Sequence, residues 1–146
     1  MPAGSDDPFD LRRFVSAQDA GDTYAHAVAE LRRGRQTSHW MWFVFPQIEG
    51  LGHSAMAQRY AIGSIDEARA YLAHPLLGPR LRECVEILSA TPLPATAEAI
   101  LGSIDAQKLR SSLTLFLRAA PEEPLFRTAL ERFFGGVADA ATDARL

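Results

Sequence analysis

Side chains capable of ligand chemistry are concentrated in two short segments of this chain, residues 38–47 and residues 108–114. Cationic side chains bind anions, and an imidazole, an amide or a hydroxyl hydrogen-bonds to the polar edge of a small molecule. The two segments therefore predict a pocket for a small anionic ligand, with a nucleotide or another phosphorylated compound suiting the mixture. The predicted polar contacts are His39, Gln47, Lys108, Arg110 and Ser112.

The first segment also contains both tryptophans of the chain, Trp40 and Trp42, within six consecutive apolar residues. Large aromatic side chains bury much apolar area, so this run is expected in the core, with its rings also offering a stacking surface for a ligand. Trp42 is predicted to be a core residue whose truncation to alanine costs about 3–5 kcal/mol.

Ordinary structural roles compete with a ligand site for the same residues. At roughly 100° per residue, Lys108 and Arg110 flank an apolar helical stripe on opposite sides, with Ser112 at its edge. Long cationic side chains there commonly extend past the core or pair with protein carboxylates. His39 is likewise more often a histidine satisfied at the edge of a core. The ligand pocket is accordingly a hypothesis.

Several kinds of site are disfavoured by spacing. No two of the four histidines stand three or four residues apart, and one cysteine allows neither a disulfide nor a cysteine-pair zinc site. The chain has no phosphate-binding P-loop motif and no nucleophile-elbow motif. Asp66, Glu67, Glu83 and Glu86 are interpreted as capping or solvated-face residues. No metal site is predicted, and no cofactor or catalytic residue is assigned.

Composition indicates one globular domain. The 146 residues are 47% hydrophobic and 23% charged, with a net charge of −3. This balance disfavours general nucleic-acid binding, and the basic run Arg32–Arg35 matches the end of a helix. No apolar stretch is long enough to span a membrane, and no secretory signal is present, so a cytoplasmic protein is expected.

Helical periodicity recurs along the chain, which predicts an all-α fold with a mobile tail at 1–6 and one domain at 7–146. The aromatic segment 38–47 is expected to form a short buried helix over 38–44, because no convincing partner strand is present; a strand paired across a homodimer is the alternative. The final ten residues receive no element. Three other predicted helices open at 7–10, at 23 and at 78–79. The remaining ones cover 54–60, 65–73, 96–101, 105–118 and 124–134.

A family resemblance rests on the run His39–Gln47, which matches the signature HWMWF-x-FPQ. Further matches are His74–Leu81, Lys108–Phe116 and Phe133–Gly136, with Leu113 where the family often has methionine. The chain resembles the bacterial family catalogued as domain of unknown function 1810. Some of its members are labelled calpastatin-like, a label that nothing in this sequence supports. The resemblance implies a mostly helical single domain and no established activity, ligand or catalytic residue.

Three functions are compatible with these patterns. The favoured one is a small-molecule binding or enzymatic domain, at the seam between the aromatic segment and the Lys108 helix. The alternative is a protein-interaction or oligomerisation module whose aromatic segment meets a partner, since aromatic residues are enriched at interaction hot spots. Nucleic-acid binding ranks third. Tryptophan rings that line a concave pocket would favour the first function, and fully exposed rings would favour the second.

Cys84 lies on the apolar stripe of its predicted helix, so we expect a buried, slowly reacting thiol. Labelling of the native protein with a thiol reagent should therefore be far slower than labelling in denaturant. Rapid labelling under native conditions would contradict this position.

Overall fold

The computed structural model describes residues 7–146. Its helices are α1 (Arg12–Asp19), α2 (Thr23–Arg32), α3 (Met41–Val44), α4 (Ala55–Arg59), α5 (Ile65–Ala73), α6 (Leu77–Ser89), α7 (Ala97–Leu101), α8 (Ser103–Ala119), α9 (Pro124–Phe134) and α10 (Ala140–Asp143), with a 3₁₀ turn at Ala20–Asp22. Helix α8 forms the centre of the fold, and helices α5, α7, α9 and α10 pack against it. Residues 111–117 of α8 are all buried, including Ser111, Ser112 and Thr114, because neighbouring helices cover every side of this helix.

The predicted all-α single domain is confirmed: the structure is 64% helical, and residues 7–146 contain no strand. Local sequence signals explain several helix starts. The side chains of Ser54, Ser64 and Thr96 each accept a hydrogen bond from a backbone N–H in the first turn of α4, α5 and α7. The predicted mobile tail, residues 1–6, lies outside the described residues.

Two predicted boundaries differ from the structure. The first helix begins at Arg12 rather than at Asp7–Asp10, because the Asp7 carboxylate accepts hydrogen bonds from the N–H groups of Leu11 and Arg12 and ends the preceding turn there. The last ten residues, expected to lack an element, contain α10, whose N-cap is Asp139. A four-residue helix is too short to produce a periodic apolar pattern.

The aromatic segment forms the short buried helix that was predicted, with α3 beginning at Met41 instead of residue 38. Beyond Pro46 the backbone extends and pairs with a distant segment through an isolated parallel bridge between Ile48 and Ile62. The Ile62 N–H donates to the Gln47 carbonyl at 2.8 Å. This bridge closes the loop that contains α4, and the closed loop stands beside α8.

Glu30 in α2 holds the approach to α3 through its buried carboxylate. This side chain, 4% exposed, accepts hydrogen bonds from the N–H groups of Thr37 and Ser38, from the Ser38 hydroxyl and from the Trp40 indole. Desolvation raises the pKa of Glu30, but the hydrogen bonds outweigh it and lower the pKa to about 2. Trp40 itself is fully buried. One carboxylate thus fixes three of the four residues that directly precede α3.

Glu67 corrects an expectation, since it is buried rather than solvated. Its carboxylate accepts from the Gly63 N–H at 2.9 Å and forms an ion pair with Arg13 at 2.8 Å. The Arg13 guanidinium also donates to the carbonyls of Arg59 and Ala61. Five donors in a planar fork allow one arginine to join several segments at once. Arg13 therefore fixes the chain on both sides of Tyr60.

None of the helices in residues 7–146 has the length and apolar character that a membrane crossing requires.

Glu30→Gln should lower the free energy of unfolding by about 1.5–3 kcal/mol at neutral pH, because a charged acceptor of four hydrogen bonds is replaced by a neutral amide. The native pKa is depressed, so the contribution of Glu30 is complete above its ordinary value of 4.5 and declines as the pH falls toward 2. Urea unfolding at several pH values should show the wild type and the variant converging in acid. A difference that stays constant down to pH of about 2 would contradict this account.

Candidate functional site

A cleft of about 570 Å³ opens between α8, the loop that carries α4, and the chain around α10. Its walls are mainly apolar, and polar groups occupy its α8 side. This combination is typical of small-molecule sites. The lining residues are Trp42, Gln47, Ile48, Gly50, Leu51, Gly52, Ala57, Tyr60, Ala61, Ser103, Ile104, Gln107, Lys108, Ser111, Asp139 and Ala141.

Trp42 and Lys108 meet at one wall of the cleft. The Lys108 ammonium lies 4.7 Å from the centre of the Trp42 ring and 3.3 Å from the Asp105 carboxylate. A cation at this distance from an indole is attracted by the negative face of the ring. Trp42 is half-buried, so part of its ring remains available to a ligand.

Asp139 supplies a negative charge at the α8 side of the cleft. Its carboxylate, in a residue 7% exposed, accepts from the Gln107 amide at 2.9 Å, and from the hydroxyl and N–H of Thr142 at 2.6 and 3.0 Å. Its Oδ2 also lies 3.2 Å from the Ser111 hydroxyl. Both oxygens are thus committed to protein donors. Asp139 holds α10 against α8, and a role as a catalytic base would require these bonds to break.

Other polar groups in the cleft have hydrogen-bonding capacity to spare. Among residues 7–146, the Gln47 amide, the Tyr60 hydroxyl and the Ser103 hydroxyl have no hydrogen-bond partner, and none is a fully buried orphan atom. The side-chain amide of Gln107 donates a hydrogen bond to Asp139, and its side-chain carbonyl is left to accept one from a ligand. These groups surround an apolar space, so they can bind the polar edge of a ligand whose remaining surface is apolar.

Three residues of the predicted site lie away from the cleft. Trp40 is fully buried and bonded to Glu30. Arg110 donates to the carbonyls of Val137 and Ala138 at 2.9 and 3.3 Å, on another side of α8 from Lys108. Ser112 is buried in the core, and its hydroxyl has no partner among the described residues. Lys108 and Arg110 do not share a pocket. Side chains two residues apart on a helix are separated by roughly 200° around its axis, so they lie on nearly opposite sides.

His39 lies in a second, smaller hollow of about 350 Å³ that adjoins the cleft. Trp42, Ser103, Ile104 and Lys108 line both spaces. The structure therefore brings Trp42, Gln47 and Lys108 together in the larger cleft and places His39 behind the shared wall. His39 is exposed at that position.

Several cleft residues were missed by sequence reasoning. Ile104, Gln107 and Ser111 were missed although they share one helical face with the predicted Lys108, at the spacing i, i+3, i+4, i+7 from Ile104. Asp139 stands directly before Ala140–Asp143 and has the character of an N-cap. For Tyr60, no local pattern indicates that the ring reaches this cleft.

Cys84 is buried, as predicted, and lies outside the cleft. Burial raises the pKa of its thiol to about 12. In the described part of the chain, no three His, Cys, Asp or Glu residues lie close enough together to bind a metal ion.

Comparison with known proteins assigns the chain to a family. The family described as "Protein of unknown function (DUF1810)" matches residues 8–146. This protein belongs to the DUF1810 family. The DUF1810 chain is similar to the conserved hypothetical protein Rv1873 from Mycobacterium tuberculosis, whose crystal structure was determined at 1.38 Å. The two structures superpose with a TM-score of 0.92 and the sequences are 50% identical, over 96% of this chain and 98% of that one. No curated protein matches the chain.

The prediction that Trp42 is a core residue is corrected in degree: Trp42 packs against the core but is only partly buried, and Trp40 is the fully buried tryptophan. Trp40→Phe should cost about 2–3 kcal/mol, since it removes indole volume and an N–H bonded to Glu30. Trp42→Phe should cost less, about 1 kcal/mol, because this ring is only partly buried and its indole N–H has no partner among the described residues. Urea unfolding measures the free energy of unfolding of both variants. In the wild type, acrylamide should quench mainly the emission of Trp42, which is the part that Trp42→Phe removes. Equal costs would show that this assignment of the two rings is mistaken.

Proposed function

We propose that this DUF1810 protein binds a small molecule with a flat apolar part and a polar edge, of a phosphorylated or nucleotide-like kind, in the 570 Å³ cleft. The observation that carries the proposal is the convergence of uncommitted hydrogen-bonding groups around a half-buried tryptophan. Such groups cost free energy when an apolar molecule covers them without replacing their water, so they favour a ligand with matching donors and acceptors.

The ligand position follows from the lining. Trp42 and Tyr60 provide aromatic surface, and Ile48, Leu51 and Ala57 complete an apolar wall. Gln47 and Gln107 offer amide groups, which pair with both donors and acceptors on a heterocycle. A flat heterocyclic ring matches this arrangement better than a sugar or a short peptide, because its faces are apolar and its edge is polar.

The proposal is for binding, and no reaction is attached to it. Its setting is the bacterial cytoplasm, where nucleotide-like compounds are abundant; the similarity to a mycobacterial protein supports the bacterial part. An interaction or oligomerisation module remains the second candidate. The exposed Ile104, 74% exposed at the edge of the cleft, favours it, whereas the burial of Trp40 and the concave position of Trp42 do not.

Blocking the cleft tests the proposal. Ala141 is exposed on α10 and lines the cleft, so Ala141→Trp should fill the space without disturbing the core. Ala144→Trp is the matched control, since Ala144 is exposed nearby and does not line the cleft. The probe is N-phenyl-1-naphthylamine, a neutral aromatic dye whose fluorescence rises in apolar surroundings. Ala141→Trp should weaken dye binding about tenfold or more, which corresponds to 1.4 kcal/mol, and Ala144→Trp should not.

Displacement of the dye by adenosine 5′-monophosphate then tests the nucleotide-like class. A wild-type protein that does not bind the dye, or a dye affinity that Ala141→Trp leaves unchanged, would refute a ligand site in this cleft. If the dye binds but the nucleotide does not displace it, the cleft would stand as a binding site and the nucleotide-like ligand class would be refuted.

A further inference from the structure

We propose that the cleft receives an anionic group of its ligand at the Gly50 end, where the Arg145 guanidinium and the backbone of residues 50–53 form an anion-binding subsite. This inference rests on the proposed function, because it assigns one part of the same ligand. It names a cation that the sequence patterns did not indicate.

Arg145 lies directly against the α-carbon of Gly50. A β-carbon added at Gly50 would stand 2.3 Å from Nη1 of Arg145 and 2.7 Å from its Cζ, so a side chain at this position would displace the guanidinium. Gly50 also has a φ of +94°, a conformation that glycine adopts without strain. Gly50 lines the cleft, so the Arg145 guanidinium lies beside one wall of the cleft, although Arg145 is not itself a lining residue.

The charge of Arg145 is not engaged by any described residue. Ion pairs within residues 7–146 use Arg13, Arg32, Arg69, Arg80, Arg82, Lys108 and Arg118. The neighbouring carboxylate of Glu49 is directed elsewhere, with its Oε2 3.7 Å from a β-carbon added at Gly63. Within the described chain, Arg145 thus retains its full set of guanidinium donors.

The loop beneath Arg145 offers further donors. Within the described residues, the N–H groups of Gly50, Leu51, Gly52 and His53 make no hydrogen bond to the backbone or to a side chain. A run of unpaired N–H groups that includes a residue of positive φ is a common anion-binding arrangement. Gly52 lacks a β-carbon for a packing reason, because one would lie 2.6 Å from the Ala57 β-carbon.

Charge separates the two ends of the cleft. At the α8 side, Asp139 is negative and Lys108 is already paired with Asp105. An anion is therefore repelled from that side and attracted toward Arg145. A guanidinium binds phosphate and carboxylate groups through two parallel hydrogen bonds. The ligand class that fits is an aromatic ring system bearing one such anionic group.

Matched dyes provide the test. N-phenyl-1-naphthylamine is neutral, and 1-anilinonaphthalene-8-sulfonate has the same rings with an added sulfonate. The ratio of their affinities cancels effects on the apolar part of the cleft. Arg145→Gln should lower the sulfonate:neutral ratio about tenfold, since charge-assisted hydrogen bonds are lost. Arg145→Lys should lower this affinity ratio less, because lysine keeps the positive charge although it cannot form the two parallel hydrogen bonds of a guanidinium.

Arg127→Gln is the control, since Arg127 is exposed on α9, supplies the same loss of charge and lies outside the cleft. A ratio unchanged by Arg145→Gln, or lowered equally by Arg127→Gln, would overturn the subsite while leaving the cleft as a binding site. Failure of both dyes to bind the wild type would refute the proposed function and the subsite with it. Displacement of the sulfonate dye by adenosine 5′-monophosphate, compared with indole-3-acetate, then distinguishes a phosphate from a carboxylate ligand.

Discussion

The contact between the Glu30 carboxylate and the Trp40 indole determines where the rest of the aromatic segment lies. A buried charge is tolerated only when its hydrogen-bonding capacity is used, and Glu30 uses its own on Thr37, Ser38 and Trp40. The chain that follows can then turn into α3 with Trp40 inside. Trp42, two residues later, is directed toward the other side and reaches the cleft.

The largely buried ion pair between Arg13 and Glu67 fixes the opposite wall of the cleft. Arg13 binds the carbonyls of Arg59 and Ala61 and pairs with Glu67, so Tyr60 is held between two anchored neighbours. The Tyr60 ring packs against Phe43 of α3, with ring centres 5.3 Å apart. The cleft therefore lies between segments that are fixed by buried charge and by aromatic packing. A binding surface built on such supports is pre-organised, which limits the entropy lost when a ligand binds.

Sequence patterns predicted the fold well because the longer helices, such as α6, α8 and α9, bury apolar stripes that recur with helical period in the sequence. They predicted the site less well. Gln47 and Lys108 do line the cleft, but Arg110, in the same segment as Lys108, faces the C-terminal residues. Nothing local to Trp40 and Trp42 tells which ring is buried, since the answer depends on Glu30, ten residues before Trp40. The proximity of Arg145 to Gly50 joins positions far apart in the chain, and no periodicity reports it.

Residues 137–146 attach to the domain almost entirely through polar contacts. Arg110 holds the carbonyls of Val137 and Ala138, Asp139 bonds to α8, and Asp143 pairs with Arg118. The buried hydrophobic core contains no residue from this stretch. Substitutions at the exposed positions of this stretch, unlike those at buried Asp139 and Thr142, would alter one wall of the cleft without leaving a void among the packed helices. This peripheral segment can therefore change sequence at its exposed positions while the packed helical scaffold stays the same.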